Sequence, residues 1–171
     1  YKVQEEELEV EAIVTGQPID SSGNLLDEED LAESHGRSRV RMKKADAKVK
    51  VSNEVYTGHD GGNYCGTTNL KTDLKDKKNT KVTYCFTITN DGKSDLGNFY
   101  LVDPMLQYEE RPDFRLAPGE TKHFHIERWL DGSYENELFV KATAVLPDSD
   151  MVIPGDKSIA EAKAKSKIKI E

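Results

Sequence analysis

Long hydrophobic runs are missing from this sequence. No stretch of about 18 apolar residues occurs in the 171 residues, and a helix needs roughly that length to cross a bilayer. We therefore expect no membrane insertion in this segment. The chain also has no secretory leader and opens at Tyr1 in the middle of an alternating pattern, so we interpret it as a slice of a longer protein.

Catalytic motifs are missing as well. The sequence contains no G-x-S-x-G, no H-E-x-x-H and no phosphate loop, and it is predicted not to be an enzyme. Basic residues are fewer than acidic ones: the sequence has 24 Lys and Arg residues and 32 Asp and Glu residues, which gives a net charge of −8. This balance argues against nucleic acid as a partner, and it fits a solvated extracellular module or one that collects cations.

Cysteine is scarce, with only Cys65 and Cys85 present. Their spacing fits no zinc pattern, so it suggests a single disulfide. Cys85 has the parity of the outward residues of its strand, and the bond would hold residues 61–70 against the outer face of the sheet. A disulfide indicates a secreted or cell-surface protein, and two unpaired thiols in the cytosol are the alternative.

The clearest strand is in residues 80–97, where apolar residues alternate with polar ones: Val82, Tyr84, Phe86 and Ile88. The turn sequence Asn90-Asp91-Gly92 follows, and a second alternation covers residues 96–103. The pattern predicts a hairpin at the centre of an antiparallel sheet. Because hydrophobic residues are only 36% and charged residues 33%, the core must be thin, and this composition suits a β-sandwich.

Two sequence elements recur in the same order. E-L-E-V-E-A at residues 7–12 aligns with E-L-F-V-K-A at residues 137–142, a shift of 130 (138 − 8). A polar loop follows each, and then a basic alternating strand, from Arg37 in one case and from Ala160 in the other, with a shift near 118 (168 − 50). This recurrence predicts a tandem repeat of roughly domain size.

The repeat divides the chain into three parts. Residues 1–44 would be the C-terminal strands of a preceding module, and residues 45–164 a complete module. Residues 165–171 would be the first strand of the next module or a tail. About seven short strands at hairpin spacing predict an all-β fold: tandem immunoglobulin-like β-sandwich modules of the antiparallel Greek-key type.

The order V-T-Y-C-F-T-I-T-N-D-G-K-S-D-L-G, then L-A-P-G-E-T, then V-K-A-T-A-V resembles a family of repeated immunoglobulin-like domains in large wall, adhesin and fibre proteins. The typical run of that family is V-T-Y-x-x-x-V-x-N-x-G, and the match covers about residues 48–145. The segment between Asp103 and Leu116 is short for the family. The resemblance implies a structural or adhesive spacer, and it carries no catalytic residues.

Acidic loops supply the candidate cation ligands, although no D-x-D-x-D-G loop is present. Calcium takes six to eight oxygen ligands and could be held where sandwich loops converge. The candidates are Asp60, Asp103, Asp148, Asp150 and Asp156. The alternative is ordinary turn chemistry on a solvated surface.

Two aromatic residues, Trp129 and Tyr134, are candidate partner contacts on an outer face, for a glycan or for a module junction. His123, His125 and Glu127 lie two residues apart on one predicted strand and could in principle ligate a metal. A tetrahedral site normally needs a second element, so we interpret them as solvent-facing residues.

The sequence therefore predicts an extracellular or cell-surface repeat module that forms a stiff stalk, filament or adhesin shaft. It would need no cofactor, apart from the calcium considered above. Its expected partners are neighbouring copies of itself or other surface and fibre proteins. One alternative is a ligand- or calcium-binding adhesion module that uses the acidic loops or Trp129. The other is an accessory β-domain of a larger secreted enzyme.

Overall fold

A computed structural model describes residues 5–25, 32–67 and 70–171 of the chain. The described residues form ten strands and no helix. The chain divides into two compact units, Tyr1–Lys44 and Ala45–Glu171, and each is described by itself. The fold is all-β, with most strand pairs antiparallel.

The first unit contains a two-stranded antiparallel ribbon, β1 (Glu5–Gly16) paired with β2 (Ala32–Lys43). The pairing is continuous from Glu5↔Lys43 to Gly16↔Ala32. Beyond it, Ile19 and Leu25 form an isolated bridge. A two-stranded ribbon has no second layer to cover a face, and Val14 is accordingly 67% exposed.

The second unit contains two sheets. Its strands are β3 (Val49–Thr57), β4 (Asp73–Asp76), β5 (Thr80–Asn90), β6 (Asp95–Asp103), β7 (Tyr108–Glu110), β8 (Thr121–Leu130), β9 (Tyr134–Val145) and β10 (Ile159–Ile170). The three-stranded sheet has the order β3-β5-β8, and the five-stranded sheet has the order β4-β10-β9-β6-β7. One pair in this unit, β4 with β10, is parallel.

Inward residues of both sheets join in one hydrophobic cluster. The alternation in β5 buries its apolar residues completely, since Val82, Phe86 and Ile88 have 0% exposure. On β9 the alternate apolar residues Leu138, Val140, Ala142 and Ala144 are buried in the same way. The core is thin because each strand contributes only alternate side chains.

The prediction that residues 80–103 form a hairpin is wrong. β5 pairs with β3 and β8, whereas β6 pairs with β9 and β7 in the other sheet. The turn between them is a connection from one sheet to the other. The buried Asn90 side chain holds it, because its amide nitrogen donates to the carbonyl oxygens of Ser94 (2.9 Å) and Leu116 (2.8 Å).

The basic strand predicted from Arg37 also needs correction. It comprises two separate strands, because β2 ends at Lys43 and β3 begins at Val49. At the other end of the chain, Lys165 lies in the middle of β10, so residues 165–171 are not a strand of their own.

Candidate functional site

The loop after β3 lies on the outer face of the three-stranded sheet and is fixed there by a disulfide. Cys65 in the loop is bonded to Cys85 on β5, with their Cα atoms 5.3 Å apart. Cys85 alternates with the core residues of β5, yet its exposure is 0% because the loop covers it. The bond therefore belongs to the outer layer of the sheet.

Two histidines of β8, His123 and His125, contact this loop from the side of the sheet. A Cβ atom added at Gly62 would lie 2.5 Å from the His125 ring, and one added at Gly66 would lie 3.0 Å from the His123 ring. Both glycines also have positive φ, which disfavours any side chain there. Thus the rings pack against loop backbone, and His123 Nδ1 also lies 3.0 Å from Thr87 Oγ1.

Asp60 organises the start of the loop. One of its carboxylate oxygens accepts hydrogen bonds from the Tyr56 hydroxyl, from Gly62 N (3.1 Å) and from Asn63 N (3.2 Å). Burial, followed by the hydrogen bond to Asp60, raises the pKa of Tyr56. Asp60 was predicted as a calcium ligand, and this oxygen instead accepts the hydrogen bonds that hold the turn.

Trp129 stands at the rim of the same face and is 64% exposed. The Lys81 ammonium lies 4.7 Å from its ring centroid, and the His59 ring meets it edge-on at 5.9 Å. His59 Nε2 also lies 3.0 Å from the Arg128 carbonyl oxygen, and Glu127 Oε1 accepts from Gly61 N at 2.8 Å. The neighbours of this exposed indole are therefore a cation and a fixed imidazole.

Tyr134, predicted together with Trp129, lies on β9 in the other sheet. Its ring packs against the core, and its hydroxyl donates to Asp131 at 2.6 Å. That hydrogen bond lowers the pKa of Asp131 and raises the pKa of Tyr134. The two aromatic residues thus belong to different sheets.

Asp103 is fully buried and serves a hydrogen-bond network. Its Oδ1 accepts from Met105 N (3.1 Å) and Leu106 N (3.2 Å), and its Oδ2 accepts from Asn136 Nδ2 (2.6 Å). Ser166 Oγ donates to Asn136 Oδ1 at 2.6 Å, which extends the network to β10. This chain of buried polar groups links β6, β9 and β10, and the sequence pattern did not reveal it.

The other acidic candidates lie in the exposed loop between β9 and β10. Asp150 accepts hydrogen bonds from Arg115 Nε (3.0 Å) and Nη2 (2.9 Å), while Asp148 and Asp156 are exposed. Among the described residues, no group of three His, Cys, Asp or Glu side chains is arranged to hold a metal ion. The five predicted calcium ligands are thus not brought together.

A charge ladder covers the outer face of β9 and β10. Glu135 contacts Lys165 and Lys167, each at 3.3 Å, and Glu137 contacts Lys163 at 3.1 Å. Hydrogen bonds to these lysines lower the pKa values of both glutamates. Beside the ladder, Phe139 and Met105 help to line an open groove of about 440 Å³. Opposite charges at paired positions would have predicted the ladder, once the strand register was known.

No family model, no curated protein and no solved structure matches this chain. Within the described residues, no helix is long and apolar enough to span a membrane.

Proposed function

We propose that the chain is a non-enzymatic structural segment of an extracellular protein, built from tandem immunoglobulin-like β-sandwich modules that form a stiff stalk, filament or adhesin shaft. One observation carries the proposal. The β1–β2 ribbon and the β9–β10 hairpin are both continuous antiparallel pairs, and they carry acidic–basic pairs and alternate apolar residues at several equivalent positions.

The sequence shift of 130 aligns Leu8 with Leu138. Once this alignment is chosen, the two strand registers determine which residues of β2 and β10 are equivalent. Leu8 pairs with Val40 and Leu138 pairs with Ala164, so the second shift is 124 (164 − 40). This value replaces the sequence estimate near 118. At that shift basic residues coincide with basic residues: Arg39 with Lys163, Arg41 with Lys165, and Lys43 with Lys167.

Two acidic–basic pairs also match, although Glu6↔Met42 and Glu11↔Arg37 differ in character from Asn136↔Ser166 and Lys141↔Glu161. Glu5↔Lys43 and Glu7↔Arg41 correspond to Glu135↔Lys167 and Glu137↔Lys165, which form the charge ladder. The alternate positions of β1 are Leu8, Val10 and Ala12, equivalent to three fully buried residues of β9. This supports the ribbon as the last strand pair of a preceding module, whose remaining strands would cover those alternate positions.

Two further features support the rest of the proposal. The shared core of the three- and five-stranded sheets is the arrangement that a face-to-face sandwich would have. The disulfide is typical of proteins outside the cytosol. Only Lys44 separates the end of β2 from the second unit, and one residue cannot act as a flexible tether.

A chimaera tests the proposal. A copy of residues 45–134 is fused in front of residues 5–171. In the added module, β1 and β2 then take the places of β9 and β10. We expect amide exchange in β1 and β2 to slow to the level of β9 and β10, because their alternate apolar positions become covered. In the parent chain these amides should exchange much faster.

Two variants of the chimaera sharpen the test. Leu8→Asp places a charge at an equivalent core position and should remove the protection, whereas Glu9→Gln, at an outward position, should keep it. Fast exchange of the ribbon in the chimaera would contradict the tandem interpretation. So would protection that survives Leu8→Asp.

A ligand-binding adhesion module is the second candidate, and the exposed indole of Trp129 favours it. Aromatic faces with nearby polar groups suit sugar rings, and Lys81 and His59 supply such groups. Binding to a glycan array that disappears in Trp129→Ala and persists in Tyr64→Ala would establish this role. No binding in the wild-type chain would leave only the spacer role.

A further inference from the structure

The second unit protects its sheet edges unequally. At the ends of the five-stranded sheet, β7 has 3 residues and β4 has 4 residues. In the three-stranded sheet, the outer side of β3 carries a bridge in which Val55 N donates to Lys71 O at 2.7 Å. Short strands and covered edges discourage pairing with other chains.

The edge strand β8 lacks this protection. It has 10 residues without Pro or Gly, and its register with β5 is unbroken from Thr121 to Leu130. Among the residues that the structure describes, no strand lies along its other side. A long, regular and open edge is a template for strand addition.

The backbone groups that face this open edge can be assigned. Asn90 N donates to Glu120 O at 3.0 Å, so even-numbered positions bond across to β5. In an antiparallel ladder the alternate residues point the other way. The N–H and C=O groups that face the open edge therefore belong to odd-numbered residues: Thr121, His123, His125, Glu127 and Trp129.

We propose that β8 pairs with β8 of a second copy of this chain, antiparallel and centred on Ile126. This register places His125 opposite Glu127 of the second copy and His123 opposite Trp129. It brings only the edge-facing, odd-numbered residues into hydrogen-bonded pairs, so the backbone groups of both edges are satisfied together. The two three-stranded sheets become one sheet of six strands.

Charge complementarity argues for a second copy as the occupant, because Glu127 of each copy faces the His125 imidazole of the other, and it favours this register over the one centred on His125. With the axis at Ile126, no like charges face each other on either side of the sheet, since Phe124 lies opposite Arg128. With the axis moved to His125, Lys122 would lie opposite Arg128, which is unfavourable. Pairing also places the exposed Trp129 beside the His123 ring of the second copy.

One existing contact must change on pairing. The Arg128 Nη1 donates to the Glu127 carbonyl oxygen at 2.9 Å and occupies one edge-facing group. The second nitrogen of the guanidinium donates to Leu106 O at 2.8 Å and can remain there. A backbone N–H of the second copy would replace the displaced donor.

A pair of variants at one position tests the proposal. His125→Lys keeps an attractive partner for Glu127 of the second copy, whereas His125→Glu places two carboxylates opposite each other. Both remove the same imidazole from Gly62, so any shared loss of loop packing cancels between them. Met105→Glu adds the same charge at an exposed position in the turn between β6 and β7, outside β8, and serves as the control.

Sedimentation velocity of the full chain from micromolar to millimolar concentration supplies the readout, with thermal unfolding to show that each variant is folded. We expect the wild type, His125→Lys and Met105→Glu to form dimers. The dissociation constant of His125→Glu should be at least about tenfold higher than that of His125→Lys. A wild type that stays monomeric at millimolar concentration would overturn the proposal, as would equal association of the two His125 variants. This test does not depend on the repeat register, so its failure leaves the tandem proposal standing.

Discussion

At the scale of the residue, Cys85 illustrates what alternation can and cannot predict. Its parity in β5 placed it on the outer face, and the structure joins it to Cys65 in the loop on that face. Its complete burial comes from residues about 20 positions away, and a local pattern does not contain that information. Asp103 is similar, because its partners Asn136 and Ser166 are brought to it only by the sheet order.

The disulfide should be a measurable part of the stability. Cys65→Ser removes the bond at the less buried of the two cysteines and should lower the free energy of unfolding by about 3 kcal/mol, because the unfolded chain regains the freedom of a 20-residue loop. Urea unfolding measures the change. Reductant should destabilise the wild type by the same amount and leave Cys65→Ser unaffected. A loss below about 0.5 kcal/mol would contradict the expectation.

Alkaline pH should destabilise the fold through Tyr84. Burial, followed by the nearby Asp103 carboxylate, raises the pKa of Tyr84 to about 12. The unfolded chain releases this proton near pH 10, so the free energy of unfolding should fall by up to about 1.4 kcal/mol per pH unit between pH 10 and 12. Below pH 10 the group contributes no pH dependence.

Urea unfolding of Tyr84→Phe over the same pH range measures that contribution. The variant should lose a smaller part of its stability between pH 10 and 12 than the wild type does. Tyr64→Phe, at a 57% exposed position, should follow the wild-type curve. Parallel curves for the wild type and Tyr84→Phe would contradict the assignment.

At the scale of the element, the sequence predicted strands better than their partners. The alternation located β5 and β8, since burial of every second residue is a local property. Pairing is not local: the turn after Asn90 connects two sheets because the Asn90 amide reaches Leu116, and nothing in Asn90-Asp91-Gly92 indicates that partner. The charge ladder was missed for the same reason.

Gly92 fixes this connection against the start of the second unit. A Cβ atom there would lie 2.3 Å from Asp46 O and 2.7 Å from Lys48 N, both backbone atoms. Gly92→Ala should therefore lower the free energy of unfolding by about 1–3 kcal/mol. Gly132→Ala is the matched control, because its nearest atom would lie at an ordinary 3.8 Å. Equal thermal midpoints for the two variants would show that the backbone of residues 46–48 can move away from the added methyl group at little cost.

At the scale of the whole molecule, the proposed tandem repeat depends on two shifts. The first was predicted from Leu8, Val10 and Ala12 alone, whereas the second follows from the first only through the strand registers, because the two loops differ in length. The predicted boundary at Lys165 falls inside β10, because a basic alternating strand has the same pattern in its first and second halves.

The Cys65–Cys85 bond also determines how the second unit would extend under a pulling force applied at its two ends. Tension that peels β3 away reaches Cys65 and then crosses to Cys85, so the 20-residue span between them, including β4, carries no load. Oxidised units should lengthen by about 60 Å less than reduced ones when fully stretched, at roughly 3.4 Å per residue. Single-molecule force spectroscopy with and without reductant measures this difference, and equal extensions would show that the span is loaded. The disulfide would thus carry the force past the residues between the two cysteines and limit the maximum length of each stretched unit.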